Sequence, residues 1–262
     1  MSLPIKLIST DFDGTIFAES DTPAISMELL GLIARLQARG AKWVINTGRD
    51  MVSLQAALVR IGQPVRPDFL VLVEREMHAH DGMRFVGINP WNEECHRAHR
   101  DLFVRVMPDL PRLTGWIKAR FSATVYEDPY SPLCLIAANN GDADLIHEYL
   151  EGYCGGVSDL TLVRNDVYAR FSHAGYNKGT ALEEITRRLG LTAAEVFAAG
   201  DHLNDLPMLS RRYAHWLASP HNAVQSVKQA VLSQHGCVSR FPASRGVAEA
   251  LLLFLRQTGV EL

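Results

Sequence analysis

Short apolar runs alternate with longer amphipathic stretches along the first third of the chain. Residues 5–9, 43–45 and 69–73 are apolar runs of strand length. Over 25–36, apolar residues recur at three- and four-residue intervals, which predicts a helix with one buried face. Strands that alternate with helices favour right-handed crossovers and a parallel sheet.

Capping and helix-breaking residues predict the limits of these helices. Asp21-Thr22-Pro23 predicts the start of the first helix, because a capping residue and a proline suit the first turn, and Gly40 predicts its end. Asp50 is expected to cap a second helix that runs to about Ile61. Further along, Thr192-Ala-Ala-Glu195 has the spacing of a capping box.

The middle of the chain has a different order of predicted helices and strands. A helical stretch over 91–106 precedes strand-like runs at 123–126 and 133–137 and a helix over 142–153. Two more strand-like runs flank Asn165-Asp166, a pair that suits a tight hairpin. Strands joined by hairpins beside helices indicate a small α+β unit.

The alternation of helix and strand resumes after this unit, with a helix predicted over 178–189 and a strand over 196–199. We therefore predict an α/β fold with a Rossmann-like parallel-sheet core. The core would comprise residues 1–83 and 174–262, and an α+β domain would be inserted at 84–173.

Composition narrows the range of functions. Of 262 residues, 47% are hydrophobic and 21% are charged, which excludes disordered and fibrous classes. The formal net charge of −3 lacks the basic footprint of a general nucleic-acid binder. Lys6 and Asp11 interrupt any signal-peptide core, and no apolar run approaches the roughly 18 residues of a membrane helix. The four cysteines form no CxxC pair and are typical of buried thiols, so we expect a cytoplasmic protein.

Four polar motifs stand at the ends of predicted strands or at the starts of helices. Ligands bind beyond the carboxyl ends of parallel strands, so we expect the motifs to meet there. Clustered carboxylates require a cation, and oxygen ligands suit Mg²⁺. A threonine hydroxyl, backbone N–H groups and a lysine suit phosphate. The motifs are Asp11-Phe-Asp13-Gly-Thr15, Asn46-Thr47-Gly48-Arg49, Lys178-Gly179 and Gly200-Asp201-His-Leu-Asn204-Asp205.

These motifs, in this order, resemble the four motifs of the haloacid dehalogenase superfamily. The resemblance spans essentially the whole chain. The insertion is similar to the α/β cap, of the C2 type, in the Cof-type subfamily IIB, whose members include sugar-phosphate phosphatases. Many relatives have an Asn-Gly-Ala turn after the third strand. Residues 74–80 depart from that pattern and are expected to form a loop closer to the sucrose-phosphatase-like branch.

The resemblance implies a role for each motif residue. Asp11 would be the nucleophile that forms an aspartyl-phosphate. Asp13 would be the general acid and then the base, while its backbone carbonyl contacts the metal. Asp205 would either bind the metal through water or orient Lys178. The implied phosphate-binding residues are Thr47, Gly48, Lys178 and Asn204, and the implied metal ligands are Asp11, Asp13, Asp201 and Asp205.

The activity implied by the resemblance is Mg²⁺-dependent hydrolysis of a small phosphomonoester, with a sugar phosphate as the expected substrate class. Two alternatives stay open: a phosphomutase of the same fold, and a catalytically inactive phosphate-binding module. The complete set of motif residues argues against the inactive module. The expected partner is a small phosphorylated metabolite, with neither nucleic acid nor membrane, and the sequence specifies no oligomeric state.

Overall fold

The computed structural model describes residues 3–62 and 64–260. Twelve strands and eight α-helices are found in this part of the chain. The strands are β1 Leu7–Thr10, β2 Lys42–Asn46, β3 Phe69–Leu72, β4 Glu76–His80, β5 Phe85–Gly87, β6 Ala123–Asp128, β7 Ser131–Ala137, β8 Leu160–Asn165, β9 Tyr168–His173, β10 Val196–Ala199, β11 Trp216–Ser219 and β12 Cys237–Val238. The helices are α1 Met27–Ala38, α2 Met51–Arg60, α3 Trp91–Val106, α4 Leu110–Lys118, α5 Asn140–Cys154, α6 Lys178–Arg188, α7 Gln225–Ser233 and α8 Ala243–Gln257.

The larger sheet has the strand order β12-β11-β10-β1-β2-β3-β4-β5. Its first six strands are parallel, and β4 and β5 extend it antiparallel. The residues of β1 are all buried, as expected for a strand covered on both faces. The main hydrophobic core joins this sheet to α1, α2 and α8. The predicted α/β class is confirmed.

The smaller sheet is antiparallel throughout, with the order β6-β7-β9-β8. Asp166, with φ +53°, makes the tight connection between β8 and β9 that the Asx pair predicts. A second hydrophobic core joins this sheet to α3, α4 and α5.

The chain divides into two compact units. One contains the residues up to Asn89 and those from Lys178 onward, and the other is Pro90–Asn177. The boundary expected at 83/84 from the sequence differs because β5 pairs with β4 and so belongs to the larger sheet. Similarly, β9 extends to His173, and the chain returns to the first unit at Lys178.

Two local expectations are wrong. The first helix begins at Met27, four residues after the predicted proline, because Ser26 provides the cap by accepting the N–H of Leu29. The segment 74–80 is not a loop, since Glu76–His80 forms β4 and pairs with β3. The polar side chains of Glu76, His78 and His80 made this strand hard to predict, and its backbone pairing with β3 stabilises it.

Among residues 3–62 and 64–260, no helix combines the length and the apolar character needed to cross a membrane. None of the four cysteines, all of them within the described residues, forms a disulfide; two are buried and two half-buried.

Candidate active site

Three adjacent parallel strands bring the polar motifs together. Asp11 directly follows β1, Thr47 follows β2, and Asp201 stands two residues after β10. Since β10, β1 and β2 are neighbours in the sheet, their carboxyl ends lie at one edge. The lysine of the third motif, Lys178, is the first residue of α6.

Lys178 connects two of the motif carboxylates. Its side chain is completely buried, and Nζ lies 2.6 Å from Oδ1 of Asp11 and 2.6 Å from Oδ1 of Asp205. Burial opposes the charged form of Lys178, but Asp11 and Asp205 outweigh it and raise the pKa of Lys178 above its usual value. The side-chain amide of Asn46, at the end of β2, donates to the carbonyl oxygen of Lys178 at 3.0 Å. The lysine is therefore a fixed positive charge next to the first carboxylate.

Asp205 uses both of its carboxylate oxygens. Oδ1 accepts from Lys178, and Oδ2 accepts the backbone N–H groups of Asp201 and His202 at 2.8 and 3.0 Å. Gly200 permits this turn, because a Cβ there would lie 2.5 Å from Cγ of Asp205. These contacts favour the second of its two predicted roles, the orientation of Lys178.

Asp201 faces the first motif. Its Oδ1 accepts from the hydroxyl of Thr15 at 2.8 Å, and its Oδ2 lies where a Cβ of Gly14 would be, at 2.3 Å. Gly14 has φ +74°, a conformation that glycine adopts readily. Among the described residues, oxygens of Asp11, Asp201 and Asp205 lie within 4.8 Å of one another.

The electrostatics of this cluster fit a divalent cation. Burial raises the pKa of Asp11 well above its ordinary value, and the charge of Asp205 adds to the effect. Burial also raises the pKa of Asp201 to about 7, again with a contribution from Asp205. The cluster offers hard carboxylate oxygens, and a divalent cation would stabilise their ionised forms.

The carboxylate of Asp13 lies apart from this cluster and binds Arg49. Nε and Nη2 of Arg49 lie 2.8 and 2.6 Å from the two carboxylate oxygens, a bidentate ion pair. Arg49 also lies over the rings of Phe12 and Phe17, at 5.2 and 5.6 Å from their centroids. The side chain of Asp13 is 42% exposed, so it remains accessible.

The predicted phosphate-binding residues surround a further carboxylate. Thr47 is buried, and its hydroxyl accepts the N–H of Arg49 at 3.2 Å. The side-chain amide of Asn204 donates to Oε1 of Glu74 at 2.9 Å, and a Cβ on Gly48 would lie 3.3 Å from that same oxygen. Sequence reasoning assigned no role to the Glu74 carboxylate, although its place two residues after β3 is the signal that could have identified it.

A family model described as haloacid dehalogenase-like hydrolase matches residues 119–251. The chain belongs to the haloacid dehalogenase-like hydrolases. The matched segment contains Lys178, Asp201, Asn204 and Asp205 of the site. The resemblance inferred from the motifs is thereby confirmed.

Curated relatives of this haloacid dehalogenase-like hydrolase are phosphatases. It is 26% identical over 222 residues to the 5-amino-6-(5-phospho-D-ribitylamino)uracil phosphatase of Bacillus subtilis, covering 78% of this chain and 80% of the relative. It is 27% identical over 224 residues to the HMP-PP phosphatase of Yersinia pestis, covering 79% and 81%. The family and these relatives confirm the prediction of an enzyme, a phosphoric monoester hydrolase of the haloacid dehalogenase type.

A solved structure has the same fold. The sucrose-phosphatase from Synechocystis, in complex with sucrose and phosphate, aligns with this haloacid dehalogenase-like hydrolase with a TM-score of 0.72. The alignment covers 96% of this chain and 98% of that chain, at 16% sequence identity.

Proposed function

We propose that this protein is a Mg²⁺-dependent phosphatase that hydrolyses a small phosphomonoester, with Asp11 as the nucleophile. One observation carries the proposal: the buried Lys178 ammonium holds Oδ1 of Asp11 at 2.6 Å at the carboxyl edge of the sheet. This contact leaves Oδ2 of Asp11 without a hydrogen-bond partner among the described residues, in position to attack.

In the first half-reaction, Oδ2 of Asp11 attacks phosphorus in line with the ester oxygen, and the bond from phosphorus to that oxygen breaks. Asp13 gives its proton to the departing oxygen, so the substrate leaves as an alcohol. Lys178 offsets the negative charge on Asp11 and on the phosphoryl oxygens. Asn204, the Thr47 hydroxyl and the backbone N–H of Gly48 hold those oxygens. The product is an aspartyl-phosphate at Asp11.

In the second half-reaction, water attacks the phosphorus of the aspartyl-phosphate while Asp13, now ionised, takes a proton from it. The bond from phosphorus to Asp11 breaks, which releases inorganic phosphate and restores the carboxylate.

Asp11, Asp201 and the backbone carbonyl of Asp13 would hold Mg²⁺, which supplies positive charge to the phosphoryl oxygens when bound. The carboxylate cluster supports this part of the proposal. Thr15 would keep the Asp201 side chain in place, and Asp205 would hold the Asp201 backbone through its N–H.

The substrate class follows from the relatives and the sequence. The name of the Bacillus subtilis relative specifies a phosphate carried by a ribityl chain. Together with the resemblance to sugar-phosphate phosphatases, this supports a phosphorylated sugar or sugar alcohol. Such a leaving group is an alkoxide, which requires the proton that Asp13 supplies.

A panel of phosphorylated metabolites tests the proposal by release of inorganic phosphate, with Mg²⁺ and with EDTA. We expect release from at least one sugar phosphate, its loss with EDTA, and its loss in Asp11→Asn. A protein that releases phosphate from no monoester would contradict the proposal. Turnover that needs a bisphosphorylated sugar and transfers the group back to sugar would identify a phosphomutase.

A further inference from the structure

Glu74 occupies an unusual turn directly after β3. Val73 and Glu74 have φ values of +43° and +69°, left-handed conformations that non-glycine residues rarely adopt. Two hydrogen bonds hold the turn against the second motif: Val73 donates to the carbonyl of Arg49 at 3.0 Å, and Glu74 donates to that of Thr47 at 2.9 Å. Consecutive left-handed residues persist where the surrounding structure requires them, and they concentrate at functional sites.

This turn directs the Glu74 side chain into the site. The residue is 6% exposed, and its Oε1 accepts from Nδ2 of Asn204. Gly48 leaves room for the carboxylate, since a Cβ there would lie 3.3 Å from Oε1. The carboxylate is also close enough to raise the pKa of Lys178, behind the larger contributions of burial, Asp11 and Asp205. Glu74 thus lies next to residues from three of the four motifs.

The hydrogen bond to Glu74 determines how the Asn204 amide is turned. A carboxylate only accepts, so the amide must present its NH₂ group to Glu74 and turn its oxygen away. Asn204 is 8% exposed, and its Oδ1 has no hydrogen-bond partner among residues 3–62 and 64–260. The NH₂ group has a second hydrogen for a phosphoryl oxygen. With the amide reversed, the oxygen would face that anion and repel it.

We infer that Glu74 is a positioning residue that fixes the Asn204 amide with its NH₂ group directed to the phosphoryl group. The inference rests on the proposed function, because it assigns Asn204 to the phosphate. It also explains the composition of the turn: an anionic side chain next to an anion site is unfavourable unless it orients a donor. Glutamine would be a weaker choice, because its own amide can donate to Oδ1 and permit the reversed orientation.

A four-member set tests this inference: wild type, Glu74→Ala, Asn204→Ala and the double variant. The substrate is p-nitrophenyl phosphate, and inorganic phosphate is the competitive inhibitor. We expect Glu74→Ala to raise KM and the inhibition constant by about threefold to tenfold, the effect of losing one oriented hydrogen bond. In the Asn204→Ala background, Glu74→Ala should have no further effect on either constant.

Two further variants separate orientation from folding. Glu74→Gln preserves shape and should show a smaller loss of phosphate affinity than Glu74→Ala, with unchanged thermal stability. Glu28→Gln, at an exposed glutamate of α1, is the matched control and should leave both constants unchanged. A purely structural Glu74 would instead lower the unfolding midpoint of the alanine variant and leave KM in place.

The outcomes distinguish this inference from the proposed function. If wild type hydrolyses p-nitrophenyl phosphate and the effects of Glu74→Ala and Asn204→Ala are independent, the inference is overturned while the proposed function stands. If wild type releases phosphate from neither p-nitrophenyl phosphate nor any monoester of the metabolite panel, the proposed function fails. The same four proteins are then compared by their thermal stabilisation with inorganic phosphate and Mg²⁺. Loss of that stabilisation in Glu74→Ala but no added loss in the double variant supports the positioning role, and equal stabilisation in all four overturns it.

Discussion

Arg49 binds both carboxylate oxygens of Asp13 while its guanidinium group lies on Phe12 and Phe17. Because Arg49 occupies both carboxylate oxygens, Asp13 must turn away from Arg49 before it can reach a substrate oxygen in its proposed role. The exposed edge of Asp13 gives it room to do so.

Asp13→Asn should separate the two half-reactions. An alkoxide leaves poorly without a proton, so the rate with a sugar phosphate should fall by about 10²–10⁴. Nitrophenolate needs no proton, so the first step with p-nitrophenyl phosphate should survive, whereas the second step lacks its base. Rapid-mixing kinetics should show a stoichiometric burst of nitrophenol, then slow turnover with phosphate trapped on Asp11.

The double variant Asp11→Asn with Asp13→Asn serves as the control and should give no burst. Equal slowing of both substrates, without trapped phosphoenzyme, would show that Asp13 does not transfer the proton.

Stabilisation by Mg²⁺ should depend on pH. The unfolded chain releases the Asp201 proton near pH 4, whereas in the fold burial and Asp205 raise the pKa of Asp201 to about 7. Without metal, the contribution of Asp201 to the free energy of unfolding is therefore complete below about pH 4 and is lost as the pH rises through about 7. Mg²⁺ competes with this proton, so its affinity should increase from about pH 6 to about pH 8.

Thermal unfolding in millimolar Mg²⁺ measures this effect. A hundredfold excess over the dissociation constant stabilises by about 2.7 kcal/mol, and we expect a clear increase in Tm at about pH 8 and a smaller one at about pH 6. Asp201→Asn should remove most of the increase. A wild-type Tm that is unchanged by Mg²⁺ at both pH values would contradict a metal site at the carboxylate cluster.

Gly14→Ala should damage the site through a single added carbon. The Cβ would lie 2.3 Å from Oδ2 of Asp201, so the carboxylate or the turn must move. We expect phosphatase activity to fall at least about tenfold and the Mg²⁺-dependent increase in Tm to disappear.

Gly40→Ala is the matched control for backbone strain. Gly40 also has a positive φ, +97°, but a Cβ there meets no atom within 4 Å. It should cost about 1 kcal/mol of stability and leave activity intact. A Gly14→Ala protein that behaves like Gly40→Ala would show that Asp201 tolerates displacement.

Replacement of residues 90–177 by a short flexible linker should leave a folded protein. The hydrophobic core of the larger sheet contains no residue of that range, and the core around β6–β9 lies wholly within it. We expect one cooperative thermal transition for the shortened chain and retained far-UV circular dichroism. Residues 90–177 alone should also fold. A shortened chain without a transition would show that the two units stabilise one another.

Local signals predicted the elements that depend on neighbours in sequence. Asp50 caps α2 by accepting the N–H of Ser53 at 2.7 Å, and the capping box at Thr192 and Glu195 is present. The predicted start of α1 was wrong because Ser26, and not Asp21, provides the cap. Ser26 also donates its N–H to Oγ of Ser244, more than two hundred positions away.

Long-range pairing explains what the sequence did not reveal. The strand β4 reads Glu-Met-His-Ala-His, a polar–apolar alternation of only five residues, and it is stabilised by the pairing of its backbone with β3 and β5. The motif residues could be placed at one edge of the sheet by topology alone. Glu74 and Asn204 lie 130 positions apart in the sequence. Their contact depends on a left-handed turn at Val73 and Glu74, residue types that do not predict such a conformation.

The central position of β1 has a consequence for the order in which the enzyme becomes active. β1 is synthesised before β10, one of its two neighbours in the sheet. The lysine that holds Asp11 lies 167 positions downstream. A nascent chain therefore carries Asp11, the proposed nucleophile, without this counter-charge until Lys178 has been translated. Loop closure over such a distance slows folding, so we expect the contact between Asp11 and Lys178 to form late.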